Sequence, residues 1–311
     1  MSFEEKLWGF LYGSALGDAL GAPVEFSNID FIKEKYGSKG IQEPPDSAIW
    51  TDDTQMMIYL AEGVLQTYDT DVSTTMESIS KSFVAWLDDM GLAPGMTCRR
   101  GAVALENGVH WSKSGIKESK GCGSAMRSGI LGLLYHNNAM KMQEIAKYSG
   151  LATHAHSTAD ASSQAAAFLV NYAFNGIDPV KYPSMLLNDV GGIADEFDDI
   201  IIYVSEVFQE DVTPPEALAM IGQGWVGEEA IALALYCVLK NPYDYKACVR
   251  MAVNITGDSD SVGCIAGGIM GTYLGKQAIP TEWIAKLREK ERLDVLGNKI
   301  IKILNISNKL K

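Results

Sequence analysis

Residues 257–275 read Gly-Asp-Ser-Asp-Ser-Val-Gly-Cys-Ile-Ala-Gly-Gly-Ile-Met-Gly-Thr-Tyr-Leu-Gly. Val262, Ile265, Ala266, Ile269, Met270, Tyr273 and Leu274 recur at the i, i+3, i+4 spacing of a buried helix. The uncharged part, Ser261 to Gly275, is 15 residues long and holds five glycines. A bilayer crossing takes about 20 apolar residues, so this is a core helix and not a membrane span. Two carboxylates and two hydroxyls, Asp258 to Ser261, stand at its start.

The same period runs through most of the chain, and strand alternation is almost absent. Helices are expected from about Glu4 to Leu20, Gln55 to Tyr68, Ser73 to Leu87, Ser124 to Tyr135 and Ala159 to Phe174. Further helices are expected from about Ile200 to Phe208, Glu228 to Leu239, Tyr245 to Val253, Val262 to Leu274 and Thr281 to Asn305. No linker, low-complexity tract or fixed-period repeat interrupts them. The chain reads as all-α, with residues 1–311 forming a single domain. On the first helix Gly13, Gly17 and Gly21 recur every four residues. Interior glycines cost helix stability, so this spacing points to close helix-to-helix approach.

A second acidic cluster, Trp50-Thr51-Asp52-Asp53-Thr54, stands before another apolar helix marked by Met56, Met57, Leu60, Ala61, Val64 and Leu65. One such cluster is explained by helix capping, since hydroxyls and carboxylates accept from the free N–H groups of a first turn. Two of the same design, with no Lys or Arg within five residues of either, are not. Buried carboxylates without a counter-charge are costly. If the two helix starts meet, they form an all-oxygen pocket for hard divalent cations, Mg²⁺ or Mn²⁺ rather than zinc or copper. An EF-hand is excluded, because Val262 and Ile269 occupy positions that must supply ligands.

Four other segments carry polar or glycine-rich signals. Ser119-Lys120-Gly121-Cys122-Gly123-Ser124 is a glycine-rich turn running into a helix, a backbone arrangement that suits a phosphate. Cys122 with His154 forms a conceivable nucleophile pair, against the commoner reading of an inert thiol. In Thr153-His154-Ala155-His156 the histidines diverge on a helix, which disfavours joint metal ligation. Trp225 in Gly224-Trp225-Val226-Gly227-Glu228-Glu229 reads as core or pocket wall, and the glutamates as first-turn residues. Gly17-Asp18-Ala19-Leu20-Gly21-Ala22-Pro23-Val24-Glu25 ends the first helix at Pro23 and frees Glu25 to face a site. Asp18 is structural or supports the ligands.

The composition is that of a soluble globular protein, 47% apolar and 21% charged. A formal charge of −13 argues against direct nucleic-acid binding. The five cysteines show no CxxC spacing, so neither a disulfide framework nor a zinc site is signalled. Met1-Ser2-Phe3-Glu4-Glu5 carries no basic leader segment, and a cytoplasmic protein with no membrane partner is expected.

Taken in order, GDALGAPVEF, WTDDTQM, GCGSAMR, THAH, GWVGEEA and GDSDSVG give the chain a resemblance to the ADP-ribosylglycohydrolase family over nearly its whole length. That family includes the nitrogenase-reductase-activating glycohydrolases, the ADP-ribosyl-acceptor hydrolases and the J-type crystallins. The resemblance implies an orthogonal helical bundle with two Mg²⁺ or Mn²⁺ ions in a cleft. It implies Thr51, Asp52, Asp53, Asp258, Asp260 and Ser261 as metal ligands, with Glu25 near the ions. It implies contacts of Ser119, Gly121, Gly123 and His154 with the diphosphate or adenosine side of ADP-ribose, which makes the Gly121-Cys122-Gly123-Ser124 turn the substrate cradle. Arginine-directed relatives often place an aspartate shortly before a Gly-x-Thr, where this chain has Ala93, with Asp88 and Asp89 close by.

The expected activity is metal-dependent hydrolysis of an ADP-ribosyl glycosidic bond, with Glu25, Asp53, Asp258 and Asp260 as the catalytic group. The substrate is an ADP-ribosylated protein or a small ADP-ribose derivative. The rival readings are a metal-dependent phosphoesterase and a non-catalytic, crystallin-like or ADP-ribose-binding protein. A complete set of acidic ligands argues against the last.

Overall fold

The computed structural model describes residues 1–91 and 94–310, with side chains to residue 305. Its centre is a pair of antiparallel helices, Phe3–Gly21 and Ser259–Leu274, joined along a seam of glycines. Gly9 faces Gly271, Gly13 faces Gly267, Gly17 faces Gly263, and Gly21 lies on the backbone of Asp260. A Cβ on Gly17 would sit 1.9 Å from the Gly263 carbonyl oxygen, and one on Gly13 would sit 2.4 Å from that of Gly267. Side chains are excluded from the seam, so the backbones touch. The four-residue spacing on the first helix is matched by glycines on its partner. The crossing brings Asp18 and Glu25, at the end of one helix, to the start of the other.

Around this pair lie Asp52–Gln66, Val72–Trp86, Ser157–Phe174 and Gly227–Lys240. The last two are buried on nearly all sides, as their unbroken apolar sequences require. Among the described residues extended pairing is limited to three isolated bridges, Ala48 with Leu287, Ile116 with His154, and Gly121 with Val226. No described helix is long and apolar enough to cross a membrane.

The helix expected over Thr281–Asn305 is two helices, Thr281–Ile284 and Lys290–Leu310. Ala48 explains the break. Its carbonyl accepts from Arg288 N and its N–H donates to Lys286 O, drawing off bonds that a continuous helix would use. Glu289 then turns the chain at φ 52°. Five helices of eight residues or more had no clear signal in the sequence: Ile29–Tyr36, Met96–Glu106, Ala139–Leu151, Tyr182–Asp189 and Pro214–Ile221. Each buries only a narrow face.

Candidate metal-dependent active site

The first acidic cluster is the opening turn of Asp52–Gln66, so the helix begins three residues before the apolar pattern does. Thr51 is its cap. Asp18, fully buried, reaches across from the first helix and accepts from Thr51 N at 2.9 Å, Thr54 N at 3.1 Å and Thr54 Oγ1 at 2.6 Å. Thr51 Oγ1 lies 3.0 Å from Asp18 Oδ1 and 3.1 Å from Asp53 Oδ2. Asp18 is therefore a strut that holds the cluster and not part of its open face. Burial raises its carboxyl to about 6, against the opposing pull of these donors.

The second cluster opens Ser259–Leu274, with Asp258 as cap accepting from Ser261 N at 3.3 Å. The two clusters line one cavity of about 490 Å³, together with Glu25, Gly121, Cys122, Gly123, His154 and Trp225. That volume suits a small-molecule ligand. One oxygen from each of Glu25, Asp258 and Asp260 lies within 4.8 Å of the others. Asp53 Oδ1 and Asp260 Oδ1 are buried and have no hydrogen-bond partner among the described residues.

Five carboxylates on one wall repel one another. Burial and the Asp258 charge push Glu25 up to about 7, and burial with the Asp18 and Asp258 charges pushes Asp52 up to about 7. Burial and neighbouring aspartates hold Asp53 and Asp260 well above the usual carboxylate range. This donor set is hard, anionic and under-satisfied, which is the chemistry that fits a divalent cation such as Mg²⁺ or Mn²⁺.

The cavity's opposite wall is the glycine turn. Cys122 N donates to Trp225 O at 3.2 Å, and Gly227 N donates to Lys120 O at 2.8 Å. Lys120 Nζ lies 2.8 Å from Glu228 Oε1 and 2.7 Å from Glu196 Oε2. Glu228 is almost wholly buried, so this pair ties the turn to the start of Gly227–Lys240. His154 packs on Gly121 and Gly123, where a Cβ would meet its ring at 3.4 and 2.9 Å. Burial, with the Arg127 charge, pushes His154 down to about 3, so its ring is neutral at physiological pH. Arg127 is fully buried and donates to Gly123 O, Ser149 O and Thr153 Oγ1, bracing the turn from behind.

Thr51, Ser119 and Ser124 do not line the cavity. Thr51 lies behind Asp52. Ser119 Oγ lies 3.1 Å from Thr97 Oγ1, and Ser124 Oγ donates to Ala159 O at 3.2 Å. Cys122 faces the carboxylates: its Sγ donates to Asp258 Oδ2 at 2.9 Å. Burial and the Asp258 charge push this thiol well above its ordinary range, which removes the Cys122–His154 nucleophile pair from consideration. In sequence no cysteine adjoins either acidic core, and only the fold brings this one in. His156 caps Ser157–Phe174 and takes no part in the cavity. Asp88 and Asp89 line a different, smaller pocket, where Asp89 pairs with Arg292 at 2.6 Å and accepts from Tyr59 Oη at 2.9 Å. Ala93 lies outside the described residues. Phe26, which carried no signal in the sequence, stands at the cavity mouth at φ 61° and stacks on Trp225 with ring centroids 5.1 Å apart.

Residues 1–308 match the family model described as ADP-ribosylglycohydrolase. The chain belongs to this family. Its members hydrolyse ADP-ribose glycosidic linkages, and the chain is an enzyme of that kind, acting on ADP-ribosylated targets. An uncharacterised protein of Archaeoglobus fulgidus is 30% identical, covering 96% of this chain and 97% of its own length. The ADP-ribosylarginine hydrolase Tri1 of Serratia proteamaculans is 24% identical, covering 95% and 79%. A solved structure titled ADP-ribosylglycohydrolase-related protein complex superposes with a TM-score of 0.76 at 23% identity, covering 97% of this chain and 98% of that one, and shares the all-α fold.

Proposed function

We propose that this ADP-ribosylglycohydrolase works with two Mg²⁺ or Mn²⁺ ions and releases free ADP-ribose from an O-linked acceptor. The observation that carries the metal reading is the pair of orphaned buried oxygens, Asp53 Oδ1 and Asp260 Oδ1, on opposite helix starts of one cavity. Asp52, Asp53, Asp258 and Asp260 would hold the ions, with Ser261 as a hydroxyl ligand and Glu25 completing the rim, while Thr51, expected as a ligand, would brace Asp53 through its hydroxyl. When bound, the ions would orient the ribose hydroxyls and lower the pKa of water.

The remaining work falls to this chain's own groups. Gly121 and Gly123 let the His154 ring pack onto the turn, and together they line the side of the cavity assigned to the diphosphate. Thr153 Oγ1 accepts from Arg127 at 2.7 Å and sits 2.8 Å from His154 Nδ1, closer than to Gly150 O at 3.3 Å. The shorter contact assigns the Thr153 hydroxyl as donor to an unprotonated Nδ1, which leaves Nε2 carrying the one ring proton as a neutral donor beside the turn. Glu25, half-buried at the mouth with a raised pKa, is placed to pass a proton between solvent and the leaving acceptor. Five free cysteines favour a reducing, cytoplasmic setting for the reaction.

The O-linked assignment rests on charge. An arginine acceptor presents a guanidinium that needs a carboxylate partner on the acceptor side. Ala93 has no carboxylate, and Asp89 is committed to Arg292 in the neighbouring pocket. The test is the product and rate from matched serine- and arginine-linked ADP-ribosyl peptides, with EDTA and with Mg²⁺ or Mn²⁺. Free ADP-ribose without AMP, higher kcat/KM on the serine link and full loss in EDTA are expected. Full activity in EDTA refutes the metal reading, and an arginine preference refutes the acceptor.

A further inference from the structure

Beside the cavity mouth a groove crosses the faces of helices Ile29–Tyr36 and Pro214–Ile221. Its near half, about 220 Å³, and its far half, about 440 Å³, share Ile29, Lys33, Pro215, Leu218 and Asn254. The near half also contains Gln223, whose Oε1 accepts from Trp225 Nε1 at 3.2 Å. Trp225 is itself a wall of the catalytic cavity. The floor continues the same way: Thr256 Oγ1 accepts from Ile29 N at 3.0 Å, and the next residue, Gly257, accepts from Phe26 N at 3.2 Å. These bonds fix the near end of the groove beside Phe26 and Trp225 at the cavity mouth.

The charge of this surface is opposite to that of the molecule. The chain carries −13, yet no Asp or Glu lines either half of the groove. Lys33 and Lys39 do line it, both are exposed, and neither forms an ion pair among the described residues. Arg250, at the far end, is already tied to Glu43 and to Gln42 O. Between the lysines the walls are apolar, from Ile29, Pro215, Leu218 and Met251.

We propose that this groove seats the acceptor chain beside its ADP-ribosylated residue and selects an extended segment that carries apolar and acidic side chains. The proposal rests on the reading of the cavity as the site of ADP-ribosyl hydrolysis. A peptide whose modified residue enters the cavity and whose chain passes Phe26 and Trp225 meets the near end of the groove next. Its apolar walls remove alternate side chains from water, and its lysines meet carboxylates at a rim open to solvent.

The experiment compares three substrates: O-acetyl-ADP-ribose, and two ADP-ribosylserine peptides flanked by Leu and Glu or by Leu and Lys. The acidic peptide is expected to have the higher kcat/KM, with an advantage that shrinks as NaCl is raised. In Lys33→Glu/Lys39→Glu that advantage falls by about tenfold or more, while O-acetyl-ADP-ribose turnover stays within about twofold. Both lysines are exposed, so the fold is not at risk. Fluorescence polarisation of the unmodified, labelled acidic peptide supplies a second readout that needs no catalysis. Binding by the wild type and its loss in the double variant supports the groove even if no substrate is turned over, a result that would instead defeat the proposed function. Equal handling of acidic and basic peptides, or equal loss on peptide and small substrate in the variant, overturns the groove.

Discussion

Replacing Gly17 by alanine tests whether the glycine seam builds the site. In an ordinary exposed helix the change would stabilise the protein by about 1 kcal/mol, because alanine is the better helix former. Here the new Cβ would lie 1.9 Å from the Gly263 carbonyl oxygen and 2.4 Å from its carbon. Non-bonded heavy atoms pack at about 3.5 Å, so the two backbones have to part by roughly 1.5 Å. Both obstacles are backbone, and no side chain can rotate away. Overpacking of this kind costs about 1–3 kcal/mol, and the lack of any yielding neighbour places Gly17→Ala at the upper end. For a chain of this length that lowers Tm by about 5 °C. The same displacement separates Asp18 and Glu25 from Asp260, whereas metal–oxygen bonds of about 2.1 Å tolerate little of it. Thermal unfolding with and without Mg²⁺, with calorimetric titration of the ion, reads both effects. A Gly17→Ala protein as stable as wild type with an undiminished Mg²⁺-induced rise in Tm would refute the seam as the determinant of the site.

Asp260→Asn separates ligand from cap, because Asp258 and not Asp260 caps the helix. Activity should collapse by orders of magnitude, while Tm in EDTA holds or rises as one repelling charge is removed; near-normal turnover would contradict the ligand role. In the metal-free protein, burial raises Asp18 to about 6 and Glu25 and Asp52 to about 7. Folded-state values above the unfolded ones give stability that is present at low pH and lost as pH rises through 6 to 7. Tm in EDTA should therefore fall between about pH 4 and 7, with the Mg²⁺-induced rise growing over the same range; a Tm that climbs with pH would reverse the sign. Glu228→Gln breaks the buried pair with Lys120 that ties down the glycine turn. We expect KM and the Kd for ADP-ribose to rise by about tenfold with kcat little changed, and faster hydrogen exchange over residues 119–124, with Lys120→Arg retaining wild-type values. Unchanged exchange and KM in a folded Glu228→Gln would show that the pair does not position the turn.

Much of this architecture was legible in the chain because it is local. Helical period depends on residues no more than four apart, so Val262 to Leu274 and the close-packing glycines declare themselves. The two acidic helix starts were legible too, as hydroxyls and carboxylates without basic neighbours, and the structure brings them to one cavity. The sequence is weakest where a helix buries only a narrow stripe, as in Met96–Glu106, or where a distant residue takes the backbone bonds, as Ala48 does at the break before Lys290. What only the tertiary structure decided is which groups meet. Asp18 proved to be the strut under Thr51 and Thr54, Cys122 came to lie on Asp258 from 136 residues away, and Lys120 found its buried partner in Glu228. None of these pairings follows from spacing along the chain. They follow from long-range packing, above all the backbone contact at Gly9, Gly13, Gly17 and Gly21, which sets the first helix on Ser259–Leu274 and so carries Asp18 and Glu25 to the acidic helix starts.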